Sequence, residues 1–550
     1  MRRKDYFLRL FTVFSFFFGA MISAFCQVEK QTSDSIKMEI DNLHGGAGVI
    51  IFDAHHTLFE YSKGPASETP ERAFTRDTVI HLGTMSGQFA ILATLVLAQE
   101  YNVNLDTPIS FYIPEFFNSG SREGYLHDIG ALSIRTILTN TTGWTSKASI
   151  GISNFDIRKD LATLLDRASP SYVPGVCYSP SFDMLQLLGL LIEKVSGQSF
   201  DVFVKEHVFR PFAMRSSTFS VEEKIGSETS LYHSDGSPYE ESIVKSAFSF
   251  SPAFSMRSTL SDLSAYGEAL LMGLSDGIVG PIGNEIQKLL FSPAIKRQLE
   301  RDGIQTGAGW ILSDPELKYI GPVAWYSGVF LAQQTFIFLL LDQRLGLVIT
   351  SNTYNKTGEV DIKRAAHTIL KTYVRNSLHI NEPIFEPPER SIPIEIKPLQ
   401  GLYASPRGVL SLIVDDTMLA LEMYGVSAQF WHVGNNVYKP VQKNEYEELR
   451  FIPRESVEVC WRSGAKAVMT LVTSGRHYPY MKPGNYRFND MYCAISLKGG
   501  QYTITDNSNR EYLLLPLSEE RVGILCDQTS VFWNVIIEVR MDGIIYIHKQ

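Results

Sequence analysis

The stretch HLGTMSGQF, from His81 to Phe89, opens a strongly apolar segment and sets a hydroxyl, Thr84, three residues before a glycine, Gly87. Residues three apart on a helix share a face. One kind of enzyme places a serine and a lysine at such a pair. The amine takes the proton as the oxygen attacks a carbonyl, and an acyl group is transferred. Here the hydroxyl is present, but Gly87 offers a hydrogen atom where the base would stand. Ser86 lies two residues past Thr84, about 200° around a helix; it is expected to bond a backbone carbonyl instead. Thr84 carries a stiff β-branched methyl and reads as the N-cap of the helix that follows. Gly87 costs about 1 kcal/mol in a helix relative to alanine, which is explained if another group packs closely over it.

Other residues able to do chemistry are scattered. Ser-x-x-Lys occurs literally at Ser242–Lys245 and Ser463–Lys466, a pattern loose enough to arise by chance in a chain of 550 residues. Lys356–Gly358 reads KTG but follows the strand LGLVITSN and falls in a loop. His55 and His56 occupy a predicted turn and are expected to be solvated. Trp431 and His432 are expected to pack in a core, although barrel mouths do hold ligands. Besides Cys26 there are Cys177, Cys460, Cys493 and Cys526, with no CxxC spacing and no histidines at metal-ligand distances. Buried thiols or one disulfide are expected, and neither a metal nor a cofactor.

The elements that must position these residues come in two styles. A helical stretch, DSIKMEIDNL, is followed by two apolar strands, GAGVIIFD and HTLFEYSKG. Long helical patterns then dominate: SGQFAILATLVLAQEYN, FDMLQLLGLLIEKVSG and LSDLSAYGEALLMGL. Strands return at GAGWILS, FIFLLLDQ and LGLVITSN, and a helix, GEVDIKRAAHTILKTYVRN, closes this part. Strands at both ends with helices between predict an α+β layer around one sheet. A proline-rich linker, 379–392, leads to short alternating strands over 393–550, an all-β domain in the form of a small barrel or sandwich. Within it GLYASPRGVLSLIVDD and GNYRFNDMYCAISLKGG echo each other, too faintly to read as a repeat.

Composition bounds the rest. With 44% hydrophobic and 20% charged residues the chain is ordinary globular material. A net charge of −9 with no basic stripe excludes a nucleic-acid surface. Residues 1–26 have a basic start, an apolar centre and small residues at Ala24 and Cys26, the layout of a secretory signal peptide. Uncleaved, the segment is long enough to anchor in a bilayer; lipid on Cys26 is the third option, with Phe25 a poor fit to it. The chain is expected to be exported, to the periplasm, the cell envelope or the medium, and to meet a membrane through this segment alone.

Several spaced motifs carry a resemblance. HLGTMSGQF…NVNLDTPISFYIPEF, LSIRTILTNTTGW, VPGVCYSPSFDMLQLLGLLIEKVSGQSF, FSMRSTLSDLSAYGEALL and LGLVITSN follow one another in order. By them the region from Ile40 to Asn376 resembles the serine β-lactamase and penicillin-binding-protein family, in its class C-like esterase and D-Ala-D-Ala carboxypeptidase branch. The resemblance implies a β-lactamase/transpeptidase-like domain over 27–378. The linker and 393–550 resemble the lipocalin-like appendage of some members. It also implies a site: a serine with a lysine one turn on, a tyrosine from a second segment, and a strand bearing Lys-Thr-Gly or His-x-Gly. Carried over without gaps, the serine falls on Thr84 and the lysine on Gly87. The tyrosine falls on Pro180 and its neighbouring asparagine on Phe182, with Tyr178 two residues early. The strand motif becomes Tyr326, Ser327 and Gly328. These positions predict a pseudoenzyme in which Tyr326 and Phe182 fill the space over Gly87. Its binding partner would be a peptidoglycan-like peptide or an envelope protein, held in part by the N–H groups near Thr84 and Val329. Two alternatives stand beside it: a divergent hydrolase using Thr84 with Tyr178 or Tyr326 as base, and a ligand-binding or assembly module centred on the β domain.

Overall fold

The computed structural model describes residues 30–68, 70–118, 125–144, 160–166, 174–175, 178–220, 222–233, 237–240, 251–276, 282–294, 305–353 and 360–384. In the C-terminal part it describes 399–405, 408–415, 418–423, 426–442, 444, 446–452, 456–461, 466–471, 484–488, 491–498, 501–505, 511–516, 521–525, 535–539 and 545–549. The signal-like segment with Cys26, the Ser242–Lys245 and Lys356–Gly358 motifs, Ser463, Cys177, Cys526 and most of the linker lie outside these residues. The chain divides into two compact units, one ending at Pro383 and the other beginning at Ile384 apart from a short insert.

The first unit is built on a seven-stranded antiparallel sheet. Its strands are β1 (Ala47–Phe52), β2 (Thr57–Lys63), β3 (Thr306–Gly307), β4 (Trp310–Ile311), β5 (Val323–Phe330), β6 (Gln333–Leu340) and β7 (Leu345–Ser351), in the spatial order β2-β1-β7-β6-β5-β4-β3. Its first and last strands in sequence, β1 and β7, are neighbours, with Ala47 facing Ser351 and Phe52 facing Gly346. The stretch GAGWILS, expected as one strand, is two short ones turning at Gly309.

Every residue of β1, β6 and β7 is buried, because the sheet is covered on both faces. Strand side chains alternate between faces, and the core divides accordingly. Val49, Ile51, Phe336, Phe338, Leu347 and Ile349 pack with Ile36 and Ile40 of helix α1 (30–41) and with Ile362, Ala366 and Ile369 of the closing helix. Ile50, Phe52, Ile337, Leu339 and Val348 face the larger cluster on the other side. That cluster belongs to α2 (Ser86–Tyr101), α3 (Phe182–Ser196) and α4 (Leu260–Asp276), with α5 (Val360–Ser377) lying behind the sheet. From Ser86 to Leu97 every residue of α2 is buried. A helix apolar all round sits inside the domain.

The second unit is all-β. Eight antiparallel strands from Gly401–Ser405 to Lys466–Leu471 close into a barrel, the first pairing with the last at Tyr403↔Leu471 and Ala404↔Thr470. Leu410, Leu412, Leu419, Leu421, Phe430, Leu449, Val457, Val459 and Met469 fill it. The buried aromatic of the fourth strand is Phe430. Trp431 and His432, expected in the core, are half-buried, with the His432 ring 5.1 Å from that of Tyr438. A second antiparallel sheet of seven strands runs from Gly484–Phe488 to Ile545–Lys549.

The faint sequence echo is a structural repeat. Gly401 pairs with Leu412 and Ser405 with Gly408; Gly484 pairs with Ile495 and Phe488 with Met491. The next hairpins correspond as well, Asp415↔Met418 and Lys498↔Gln501, all at one constant offset. Burial follows the same register: Leu410, Leu412, Leu419 and Leu421 are matched by Cys493, Ile495, Tyr502 and Ile504. Few identities survive because the alternation of inside and outside, not residue type, specifies a strand's face.

Candidate active site

The turn that leads into α2 is pressed against β5. Ile80–His81 pairs with Arg257–Ser258, and a single 3-10 turn, Gly83–Met85, then enters the helix. Gly83 has φ +50°, and a Cβ there would lie 1.9 Å from the carbonyl oxygen of Val329. Gly328 answers it from the strand, since a Cβ there would meet the Leu82 carbonyl oxygen at 2.3 Å. Glycine at both positions lets two backbones touch.

This contact decides what Thr84 does. No side chain caps the turn or α2, so the expected N-cap role is not filled. The tight turn begins one residue earlier, at Gly83, and swings Thr84 toward the sheet. Its Oγ1 accepts the Val329 N–H at 3.0 Å and faces the Ser327 carbonyl oxygen at 3.4 Å. The Val329 donor, expected to be open to a ligand, is therefore engaged within the protein. A backbone carbonyl can hold the threonine proton but is no base at neutral pH. Ser86, fully buried, donates to the Gly83 carbonyl at 2.6 Å, as expected, and accepts the Met256 N–H at 2.9 Å.

Gly87 lies against α3. A Cβ built there would be 2.4 Å from Cδ1 of Leu185. The filling group is thus Leu185, not Tyr326 or Phe182. Ser181 caps α3 by accepting the Met184 N–H, so Phe182 is the first helical residue and turns to Phe254, ring centroids 6.4 Å apart. Leu185, almost one turn on, points at α2. Leu185 is legible in the sequence as an apolar core residue; its meeting with Gly87 depends on how two helices cross.

The remaining positions separate. Pro180 is exposed. Tyr326 is buried on the helix-facing side of β5, and burial pushes its phenol up to about 12. Tyr178 is brought near Tyr326. Burial, and then the neighbouring Tyr326, push its phenol well above the ordinary tyrosine range. Both stay protonated at neutral pH.

Beneath the turn sits a cluster that motif reasoning missed. His81 is 2% exposed, its ring stacked on Phe330 at 4.7 Å and its Nε2 3.6 Å from Glu228 Oε2. Arg257, also buried, pairs with Glu228 and donates to the carbonyls of Ser220 and Glu223. Burial and the Arg257 charge push the His81 imidazole down to about 3. His81 opens HLGTMSGQF and Arg257 lies in FSMRSTLSDLSAYGEALL, but the residues are distant in sequence and no spacing joins them to each other or to Glu228.

His55 and His56 are exposed in the β1–β2 turn, their N–H groups bonded to Asp53 Oδ1. Cys460 and Cys493 are buried thiols, not joined in a disulfide. Among the described residues no group of three His, Cys, Asp or Glu is placed to hold a metal, and no helix is long and apolar enough to cross a membrane.

A family model described as Beta-lactamase matches residues 37–370. The chain is similar to a protein named Beta-lactamase from Yersinia enterocolitica, 24% identical over 273 residues, 50% of this chain and 66% of the relative. It is also similar to Penicillin-binding protein 4* of Bacillus subtilis (strain 168), 23% identical over 344 residues, 58% of this chain and 71% of the relative. The matches thus span about two thirds of these relatives' length. Among solved structures, a class C beta-lactamase in complex with cefoxitin superposes with a TM-score of 0.51 at 18% identity, over 62% of this chain and 99% of that one.

Proposed function

The chain belongs to the beta-lactamase family, and within it we propose that this protein is an exported, non-catalytic member that binds an envelope ligand or partner. The observation that carries this is the contact of Gly87 with Leu185. An acylating site keeps a proton acceptor beside its nucleophile. Here that side of α2 is occupied by a leucine, the hydroxyl of Thr84 is held by strand backbone, and the two nearby phenols are raised by burial. A tyrosine needs a neighbouring cation to act as a base near pH 7, and none accompanies these phenols in the motifs. The proposed ligand class takes its support from the names of two relatives, a penicillin-binding protein and a putative D-alanyl-D-alanine carboxypeptidase. These support a peptide ending in D-Ala-D-Ala as the ligand. Export rests on the layout of residues 1–26, and the closed eight-stranded barrel supports the lipocalin-like reading of the C-terminal part.

A second reading, slow hydrolysis through Thr84, is favoured by the partial exposure of that residue. Incubation with a chromogenic cephalosporin and a short-chain ester separates the two. The proposal expects no turnover above a Thr84→Ala control, together with a rise in melting temperature on titration with a D-Ala-D-Ala peptide. Turnover abolished by Thr84→Ala would establish the hydrolase instead.

A further inference from the structure

His81 sits where four segments of the first unit meet. Its backbone N–H donates to Oε1 of Gln333, the first residue of β6, at 2.9 Å, and its ring lies on Phe330, the last residue of β5. One residue on, the Leu82 N–H reaches the Met256 carbonyl at 2.9 Å. On the other side, Val79 donates to the Ser227 carbonyl at 3.0 Å and accepts the Thr229 N–H at 2.9 Å. The turn that carries Thr84 and the 227–229 loop are both fastened beside one imidazole.

The charges around that ring disfavour a second cation. Among the described residues, Glu228 is the carboxylate placed against it, and Glu228 already pairs with Arg257. Arg257, 4% exposed, comes from the strand paired with Ile80–His81, and Arg72 donates to the Glu228 carbonyl. Glu223, on the same loop as Glu228, is held by Lys205. Phe330 and Gln333, from β5 and β6, carry no charge. An imidazolium here would share one carboxylate with a buried guanidinium, and burial together with Arg257 holds the ring neutral. The elements that enclose it are short, a two-residue strand pair and a single 3-10 turn. Small elements of this kind open locally before a domain unfolds.

We infer that uptake of one proton by His81 frees this joint, so that in acid the 82–85 turn leaves β5 and Thr84 parts from the Val329 N–H while the rest of the unit stays folded. In the opened joint the ring titrates as a free histidine does, near pH 6.5. Each opening below that pH therefore takes up one proton, and falling pH drives it. The release is a property of the fold, and it holds whether the chain binds a ligand or hydrolyses one.

Hydrogen exchange of the full chain tests this, read by mass spectrometry from about pH 7 to about pH 4.5 and corrected for the intrinsic exchange rate at each pH. Peptides over 79–85 and 227–229 are expected to lose protection about tenfold per pH unit below pH 6.5. Those of α5 (Val360–Ser377) keep theirs. His81→Gln removes the slope. Glu228→Gln lowers protection at every pH but keeps the slope, since the carboxylate is not the group that takes the proton. Should His81→Gln fail to fold, the native and Glu228→Gln chains still decide. No slope at 79–85, an equal slope in α5, a slope that survives His81→Gln, or one that vanishes in Glu228→Gln overturns the inference.

Discussion

Two buried positions of the first unit, Asn352 and Gly87, contrast sharply. Asn352, just past the end of β7, is fully buried and has every side-chain function paired. Its Oδ1 accepts the Gly46 N–H at 2.8 Å and the Thr353 hydroxyl at 3.1 Å; its Nδ2 donates to the Pro65 carbonyl and to Thr229 Oγ1, both at 3.0 Å. Gly87, where the family resemblance places a lysine, has a leucine against it instead. The asparagine ties three segments of backbone together, so replacing it leaves buried groups without partners. A lysine serving only a reaction would tie no such segments, and at Gly87 the space beside the helix is taken by Leu185. Polar groups that hold the fold resist apolar replacement; polar groups that hold only a reaction do not.

The largest effect that would break this contrast is at the asparagine. Asn352→Ala should destabilise the first unit by about 4 kcal/mol, measured by urea unfolding; a loss below about 1 kcal/mol would remove the distinction. Next is Gly87→Lys, which forces a long cation against Leu185 and should cost about 3 kcal/mol without creating activity. Adding Leu185→Ala should recover part of that stability by making room, which a denaturation midpoint will register.

His81 sharpens the comparison, because it is a polar group retained beneath the turn. The unfolded chain takes up a proton near pH 6.5, while the folded imidazole holds none until about pH 3. Stability from this group is therefore full above pH 6.5 and falls as pH drops toward 3, by about 1.4 kcal/mol for each pH unit. His81→Gln should flatten the difference in unfolding free energy between pH 6.5 and pH 4.5; an unchanged slope would assign the acid sensitivity elsewhere. The smallest effect belongs to Thr84. Thr84→Val leaves the Val329 N–H without its acceptor and should cost about 1 to 2 kcal/mol, whereas Thr84→Ser should be nearly neutral in the same unfolding assay.

The comparison also shows what sequence could supply. The apolar periodicity of SGQFAILATLVLAQ and FDMLQLLGLLIE placed α2 and α3 closely, and the motif order singled out Thr84, Gly87, Tyr326 and Gly328. Each depends on residues near in the chain. The partners of those residues do not. Leu185 meets Gly87 through a helix crossing, Val329 meets Thr84 across more than two hundred residues, and Glu228 meets Arg257 and His81 through a loop return. The repeat of the β unit was hidden for another reason. Gly401 with Gly484 and Tyr403 with Tyr486 are conserved between copies, while the intervening strand residues keep only their alternation.

On the proposed reading Thr84 is not acylated, because no described residue beside it takes its proton. Intact-mass measurement after prolonged exposure to a penicillin tests it most directly. The unmodified mass is expected for both the native chain and Thr84→Ala. An added mass equal to one penicillin, present in the native chain and absent from Thr84→Ala, would contradict it.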